Sequence, residues 1–209
     1  MHFFRQYAII RKNIQKGVII LSKTIWKGSA LLAPVPPALV TCGSMKHPNV
    51  LTIAWTGILC THPPMTYISV RPSRYSYDII SRNREFVINL PTSSMSRIVD
   101  YCGMKSGAKI DKIEKCHLEL AESKTVRAPI LAQCPVSLEC KVCETRHLGT
   151  HTMFLADITA VQVEDKYIDS KGKFNLQQAG LLAYAHGEYF AIGRKCGDFG
   201  FSVKKKHKN

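Results

Sequence analysis

The sequence predicts a mainly β domain, a closed or nearly closed antiparallel barrel with a few short helices. Three observations carry that reading. From Ala38 onward at least six short runs rich in β-branched and aromatic residues follow one another, separated by Gly, Pro and Asn. No β-α alternation, internal repeat, GxGxxG or Walker-type phosphate loop interrupts them, which argues against a doubly wound parallel sheet. A chain of 209 residues with 45% hydrophobic and 21% charged residues is long enough for one full core, and its balance is that of a soluble globular domain.

Taken in order, the chain opens with MHFFRQYAIIRKNIQKGVIIL, where Phe3, Tyr7, Ile10, Ile14, Val18 and Leu21 recur at helical spacing among basic residues. Such a stripe suits a membrane surface. The stretch is too polar to span a bilayer, however, and lacks the continuous apolar region and cleavage site of a signal peptide. Residues 1–22 are therefore expected to be an extension, helical or disordered, with no membrane contact, ahead of a domain over 23–203. The strands of that domain read as LVTCG, NVLTIAW, MTYISV, EFVINL, PVSLECKV and THTMFLADITAVQV. Between them, SRYSYDIISRN and SSMSRIVDYCG each open on serine and carry apolar residues at helical spacing, which predicts two short helices. Residues 204–209, KKKHKN, form a basic tail.

The formal charge is +14. Arg5, Arg11, Lys12, Lys16, Lys23 and Lys27 precede Gly28 with no acid among them, so much of the excess sits at the ends, as solvated tails. No strand interleaves aromatic and basic residues as a base-stacking platform does, and a nucleic-acid partner is not expected. The eight cysteines spread from Cys42 to Cys196 with no secretory signal, which predicts reduced thiols in a cytoplasmic protein. Cys140 and Cys143 form a CxxC, but on a strand positions three apart face opposite ways, so neither a metal site nor a dithiol is expected there. There is no HExxH, no Ser-His-Asp set and no paired carboxylates, hence no resident metal and no side-chain catalyst.

Chemistry concentrates in two neighbouring stretches. In NVLTIAWTG, Asn49, Thr52 and Thr56 bring hydrogen-bonding side chains and Trp55 a flat ring, with Thr52 and Ala54 on one face of the strand. A planar heterocycle with polar edges suits such a strand, as does the plainer role of a half-exposed barrel strand. The chain then runs through HPPMTYISV to Arg71 and Pro72, and Ser73 stands where a helix N-cap belongs. A helix N-terminus offers outward backbone NH groups and partial positive charge, and Arg71, Ser73, Arg74 and Ser76 surround it with donors for a phosphate.

The order KGSALLAPVPPALVTCG, NVLTIAWTGILCTHPPMTYISVRPSRYSYDII, EFVINLP, DYCGMKSGAKIDKI and LLAYAHGEYFAIG resembles the flavin reductase-like family of the FMN-binding split-barrel superfamily, the flavoredoxins in particular, from about Lys27 to Val203. The resemblance implies a six-stranded antiparallel Greek-key split barrel, usually a homodimer, with one noncovalent FMN per subunit. Carried over by segment, Asn49, Thr52, Ala54, Trp55 and Thr56 line the isoalloxazine and ribityl region, and Arg71, Ser73 and Ser76 hold the phosphate. Ser106, Lys109 and Lys112 contact the cofactor or cover the site. His186 contacts the ring or the nicotinamide, or is satisfied within the barrel. The implied activity passes electrons from NADH or NADPH through FMN to free flavin, ferric iron or a redox protein. The alternative is an electron carrier of flavoredoxin type without nicotinamide activity. The cysteine content leaves room for a redox thiol at Cys42, Cys60 or Cys102.

Overall fold

The computed structural model describes residues 23–203. By compactness the chain divides into a unit over residues 1–32 and a unit over 33–209. In the first, only 23–32 are described: they lack helix and strand, and Ile25, Leu31 and Leu32 lie exposed. The helical stripe expected before Lys23 and the basic tail fall outside the described residues.

The second unit is built on one antiparallel sheet of seven strands: β1 (Ala38–Gly43), β2 (Pro48–Ile53), β3 (Thr56–Thr61), β4 (Pro64–Val70), β5 (Glu85–Leu90), β8 (Val136–Leu148) and β9 (His151–Val163). Their order across the sheet is β2-β1-β5-β8-β9-β4-β3. The first and last strands of that order are joined in sequence by Ala54 and Trp55 alone. The sheet must therefore curl until its two edges meet, which makes a barrel split between β2 and β3. The long β8–β9 hairpin supplies the bend, with register shifts at Glu139/Cys140 and at Val142/Glu144.

Six of these strands match the expected ones, and β3 is the addition. Its sequence, TGILCT, sits at the sheet edge with Ile58 and Leu59 exposed, so its alternation is not that of a strand with one buried face. Two small hairpins complete the β structure: β6 (Leu120–Ala121) with β7 (Ile130–Leu131), and β10 (Leu182–Ala185) with β11 (Glu188–Ala191). The expected helices are α1 (Tyr75–Asn83) and α2 (Ser96–Met104); two single turns, α3 (Lys112–Lys115) and α4 (Leu176–Ala179), follow.

The core has two parts because β1 is buried along its whole length. Val40, Leu51, Ile68, Phe86 and Phe154 form one cluster, joined by Ile80 from α1. Leu39 and Val50 point the other way, into a cluster closed by Val99 and Cys102 of α2 and by Leu131. A full aliphatic or aromatic side chain contributes about 1.5–3 kcal/mol on burial, so Val99 anchors α2 to the strands it covers. Asn89, buried within β5, is fully bonded: its amide donates to the Leu39 carbonyl and the Thr41 hydroxyl, and its oxygen accepts from Leu131 NH and Ser137 Oγ. No described helix is long and apolar enough to cross a membrane.

Candidate functional site

The split in the barrel positions the site. β2 and β4 end there, so the residues that follow them turn out of the sheet and face open space. One cleft of about 430 Å³ is lined by Thr52, Ala54 and Trp55 on one side and by Arg71 and Arg74 on another, with Tyr184 and Tyr189 contributed by the β10–β11 hairpin. Beside it lies a hollow of about 70 Å³ lined by Ser73, Arg74, Ser76, Lys105, Ser106 and Lys112. The two share Thr52, Arg74 and Gly103. Gly103, on α2, packs against Thr52: a Cβ there would come within 3.3 Å of the threonine Cβ.

The cleft is aromatic. The Trp55 ring, 46% exposed, lies against His151, with centroids 4.4 Å apart and planes inclined at 37°. Burial lowers the His151 pKa and the Arg71 charge lowers it further, so this imidazole prefers the neutral state. The Tyr184 and Tyr189 rings are 5.3 Å apart, and Tyr189 Oη donates to Asp100 Oδ1 at 3.3 Å. Burial and the neighbouring carboxylate push the Tyr189 phenol up to about 12, which keeps it a donor.

The hollow is cationic and rich in hydroxyl and amide donors, and no carboxylate lines it among the described residues. It opens on the first turn of α1, whose leading amides have no carbonyl of their own helix to bond. The helix begins one residue later than expected. Arg74 NH bonds the Arg71 carbonyl at 3.0 Å, so Ser73 is spent on a turn and Arg74 occupies the N-cap. Ser76 is buried, accepts from Asn49 Nδ2 at 2.6 Å and lies in hydrogen-bond reach of the Cys42 thiol. The Arg74 guanidinium is braced on the Gly103 carbonyl at 3.0 Å.

Lys112 is the unusual member. It is 4% exposed, and its ammonium donates to the carbonyls of Cys102 at 3.0 Å and Lys105 at 3.1 Å, closing the loop between α2 and α3. Burial lowers its pKa, thiols nearby oppose that, and Arg74 adds to it. A buried cation facing a small donor-lined hollow, with no acid among the described residues to neutralise it, is matched to a doubly charged anion. The loop is also sterically set: a Cβ on Gly107 would fall 2.1 Å from Asn49 Oδ1.

Set against the residues singled out from sequence, the structure brings Thr52, Ala54, Trp55 and Arg71 to the cleft and Ser73, Ser76, Ser106 and Lys112 to the hollow. Asn49 and Lys109 line a further cavity that adjoins the hollow along Tyr75, Gly107 and Lys112. Two residues stand apart. Thr56 lines none of the three, and its hydroxyl donates to the Tyr67 carbonyl within the β3–β4 hairpin. His186 is exposed at the tip of the β10–β11 hairpin with φ of 49°, ahead of Gly187 at 88°, so it serves as a turn residue. Arg71 stands over the aromatic cleft beside His151 rather than in the hollow, where Arg74 and Lys105 supply the positive charge instead. His151, Tyr184, Tyr189 and Asp100 escaped the sequence reading. Their nearness to Trp55 depends on the pairing of β4 with β9 and on a hairpin over a hundred residues away, and no local pattern signals either.

Cys102 and Cys116 lie within hydrogen-bond reach of each other, both unoxidised. All eight cysteines are free, and burial raises Cys42 to about 11 and Cys102 to about 12, well into the protonated range at neutral pH. Cys140 is buried and Cys143 exposed, on opposite faces of β8.

Comparison with known proteins decides the family. The model of the flavin reductase like domain matches residues 31–193. The chain belongs to the flavin reductase-like family. Among solved structures it is similar to the flavoredoxin of Desulfovibrio vulgaris (Miyazaki F), 28% identical with a TM-score of 0.81, covering 87% of this chain and 100% of that one. The flavoredoxin of Methanosarcina acetivorans is also 28% identical, with a TM-score of 0.79 and coverage of 88% and 100%. An uncharacterized protein of Archaeoglobus fulgidus is 36% identical over 144 residues, 69% of this chain and 81% of its own length. The split barrel and the flavin-binding character of the family therefore stand for this member.

Proposed function

We propose that this chain is an FMN-binding oxidoreductase that passes electrons from NADH or NADPH through the flavin to a second acceptor. The observation that carries the reading is the junction of two complementary spaces: an aromatic cleft sized for a fused ring system and, a few residues away, a carboxylate-free hollow at a helix N-terminus. The residues fit the group. Ser73, Ser76, Arg74 and Lys112 match a phosphate dianion, the backbone at the end of β2 matches the polar edge of a flavin, Thr52, whose hydroxyl donates to the Val99 carbonyl, walls the junction of the two spaces, and Trp55, Tyr184 and Tyr189 bound the rings. FMN, when bound, supplies the hydride and electron chemistry. The chain's own part is to orient the rings, exclude water with the tyrosine hairpin, and present donors at the flavin's polar edge, where they favour the reduced anion.

Free flavin, ferric iron or a small redox protein all suit an open cleft as acceptor. A second reading, an electron carrier without nicotinamide activity, draws support from the similarity to two flavoredoxins. We further propose a homodimer in which the exposed Ile58 and Leu59 of edge strand β3 are covered, and a cytoplasmic location in keeping with eight unpaired thiols.

The test is anaerobic absorption spectroscopy of the purified protein with its released chromophore identified. Bleaching of a flavin band by NADH or NADPH supports the reductase. A band that resists nicotinamide but bleaches with dithionite supports the carrier. A protein that neither carries nor accepts FMN overturns both.

A further inference from the structure

A further cavity is larger than the cleft assigned to the flavin. About 710 Å³ in volume, it lies between one face of α1, the β1–β2 turn and the loop leading into α3. Tyr75, Ile79, Arg82 and Asn83 recur there at the spacing of a single helix face. Lys46 and His47 come from the turn and Lys109 from the loop. It adjoins the phosphate hollow along Tyr75, Gly107 and Lys112, and Gly107 packs there so tightly that an added Cβ would lie 2.1 Å from Asn49 Oδ1 and 2.9 Å from Tyr75.

Its charge is unbalanced. Among the described residues, no carboxylate reaches salt-bridge distance of Lys46, Arg82 or Lys109. The one acid in the lining, Asp111, spends Oδ1 on the amides of Ile113 and Glu114. Arg127 is already paired with Glu85 at 2.6 Å. Three unpaired cations thus converge on one concave space, and beside them the Tyr75 ring is 48% exposed and flanked by Ile79. Clustered cations call for more than one negative charge, and an exposed ring in a cavity calls for a flat partner.

We propose that this cavity binds a nucleoside diphosphate group, with the base against Tyr75 and Ile79 and the phosphates among Lys46, Arg82 and Lys109. The volume lies in the range of small-molecule sites. A free nucleotide and the adenosine diphosphate half of a dinucleotide present the same chemistry. The cavity is argued from its own lining. Its consequence for the flavin rests on the function proposed above: Lys109 and Gly107 belong to the loop that carries Ser106 and Lys112, so a ligand held by Lys109 steadies the cover of the phosphate hollow.

Calorimetry on the full chain tests this with ADP, adenosine and inorganic phosphate as separate probes, while FMN binding is followed by quenching of flavin fluorescence. ADP is expected to bind more tightly than adenosine or phosphate. Lys46→Glu with Arg82→Glu should weaken ADP by about tenfold or more, since each removes a charge-assisted contact, and should leave FMN affinity unchanged. Lys46→Glu alone, at an exposed turn position, gives the same direction if the double variant folds poorly. FAD held more tightly than FMN, with the difference abolished in the variant, assigns the site to a dinucleotide. ADP binding to FMN-loaded protein, with FAD and FMN held equally, assigns it to a free nucleotide. No ADP binding at millimolar concentration alongside normal FMN binding overturns this proposal and spares the proposed function, whereas ADP binding without FMN binding does the reverse.

Discussion

Lys112 and Gly107 carry the local argument at the site. A buried lysine with a lowered pKa costs stability while it stays charged, so stability should rise with pH as the medium passes from that lowered value towards the ordinary 10.5. Lys112→Met should erase this rise, measured as the difference between wild type and variant in urea unfolding at several pH values. It should also weaken FMN by about tenfold to a hundredfold, the worth of a hydrogen bond to a charged group, while riboflavin is held as before. Equal losses for both flavins would remove Lys112 from phosphate binding. At Gly107 the prediction is steric. Gly107→Ala must push Asn49 off Ser76, since the new methyl and Asn49 Oδ1 cannot share 2.1 Å. A cost of about 1–3 kcal/mol in thermal or urea unfolding follows, with weaker FMN retention.

Among the elements, the β8–β9 hairpin does more than bend. Glu139, fully buried, accepts from Lys124 NH, from Thr125 NH and Oγ1, and from Gln162 Nε2, and so pins the segment before β7 to the outside of the barrel. Burial pushes its carboxyl up, but these hydrogen bonds outweigh burial and hold it below the usual 4.5. The stability it adds is present above that value and lost as pH falls through the lower folded one. Glu139→Gln should cost about 2–4 kcal/mol at neutral pH by turning an acceptor into a donor against two amides, and should flatten the acid limb of a stability profile. Elements with a buried face were legible in the sequence. The six long strands and both true helices follow from alternation and helical spacing, whereas β3 escaped because an edge strand with exposed Ile58 and Leu59 has no polar face to alternate with. The start of α1 was misplaced by one residue because a Pro-Ser turn competes with a serine cap.

For the molecule as a whole, the same edge strand sets the assembly prediction. Ile58→Lys with Leu59→Lys should convert a dimer to a monomer in light scattering while leaving the seven-stranded fold intact; a wild type already monomeric at working concentration would refute the dimer. The site was half legible for a related reason. Asn49 to Ser76 is one continuous stretch, so the strand and the helix start announce themselves together. His151 and the tyrosine pair reach the cleft only because the sheet curls edge to edge, a global fact that no short window contains. That curl also has an optical outcome. The chain has two tryptophans, Trp26 in the first unit and Trp55 against His151 at the cleft. Replace Trp26 with Phe, and the remaining indole emits from the wall of the site itself: the protein becomes its own gauge of occupancy, readable in a stopped-flow cell without a label.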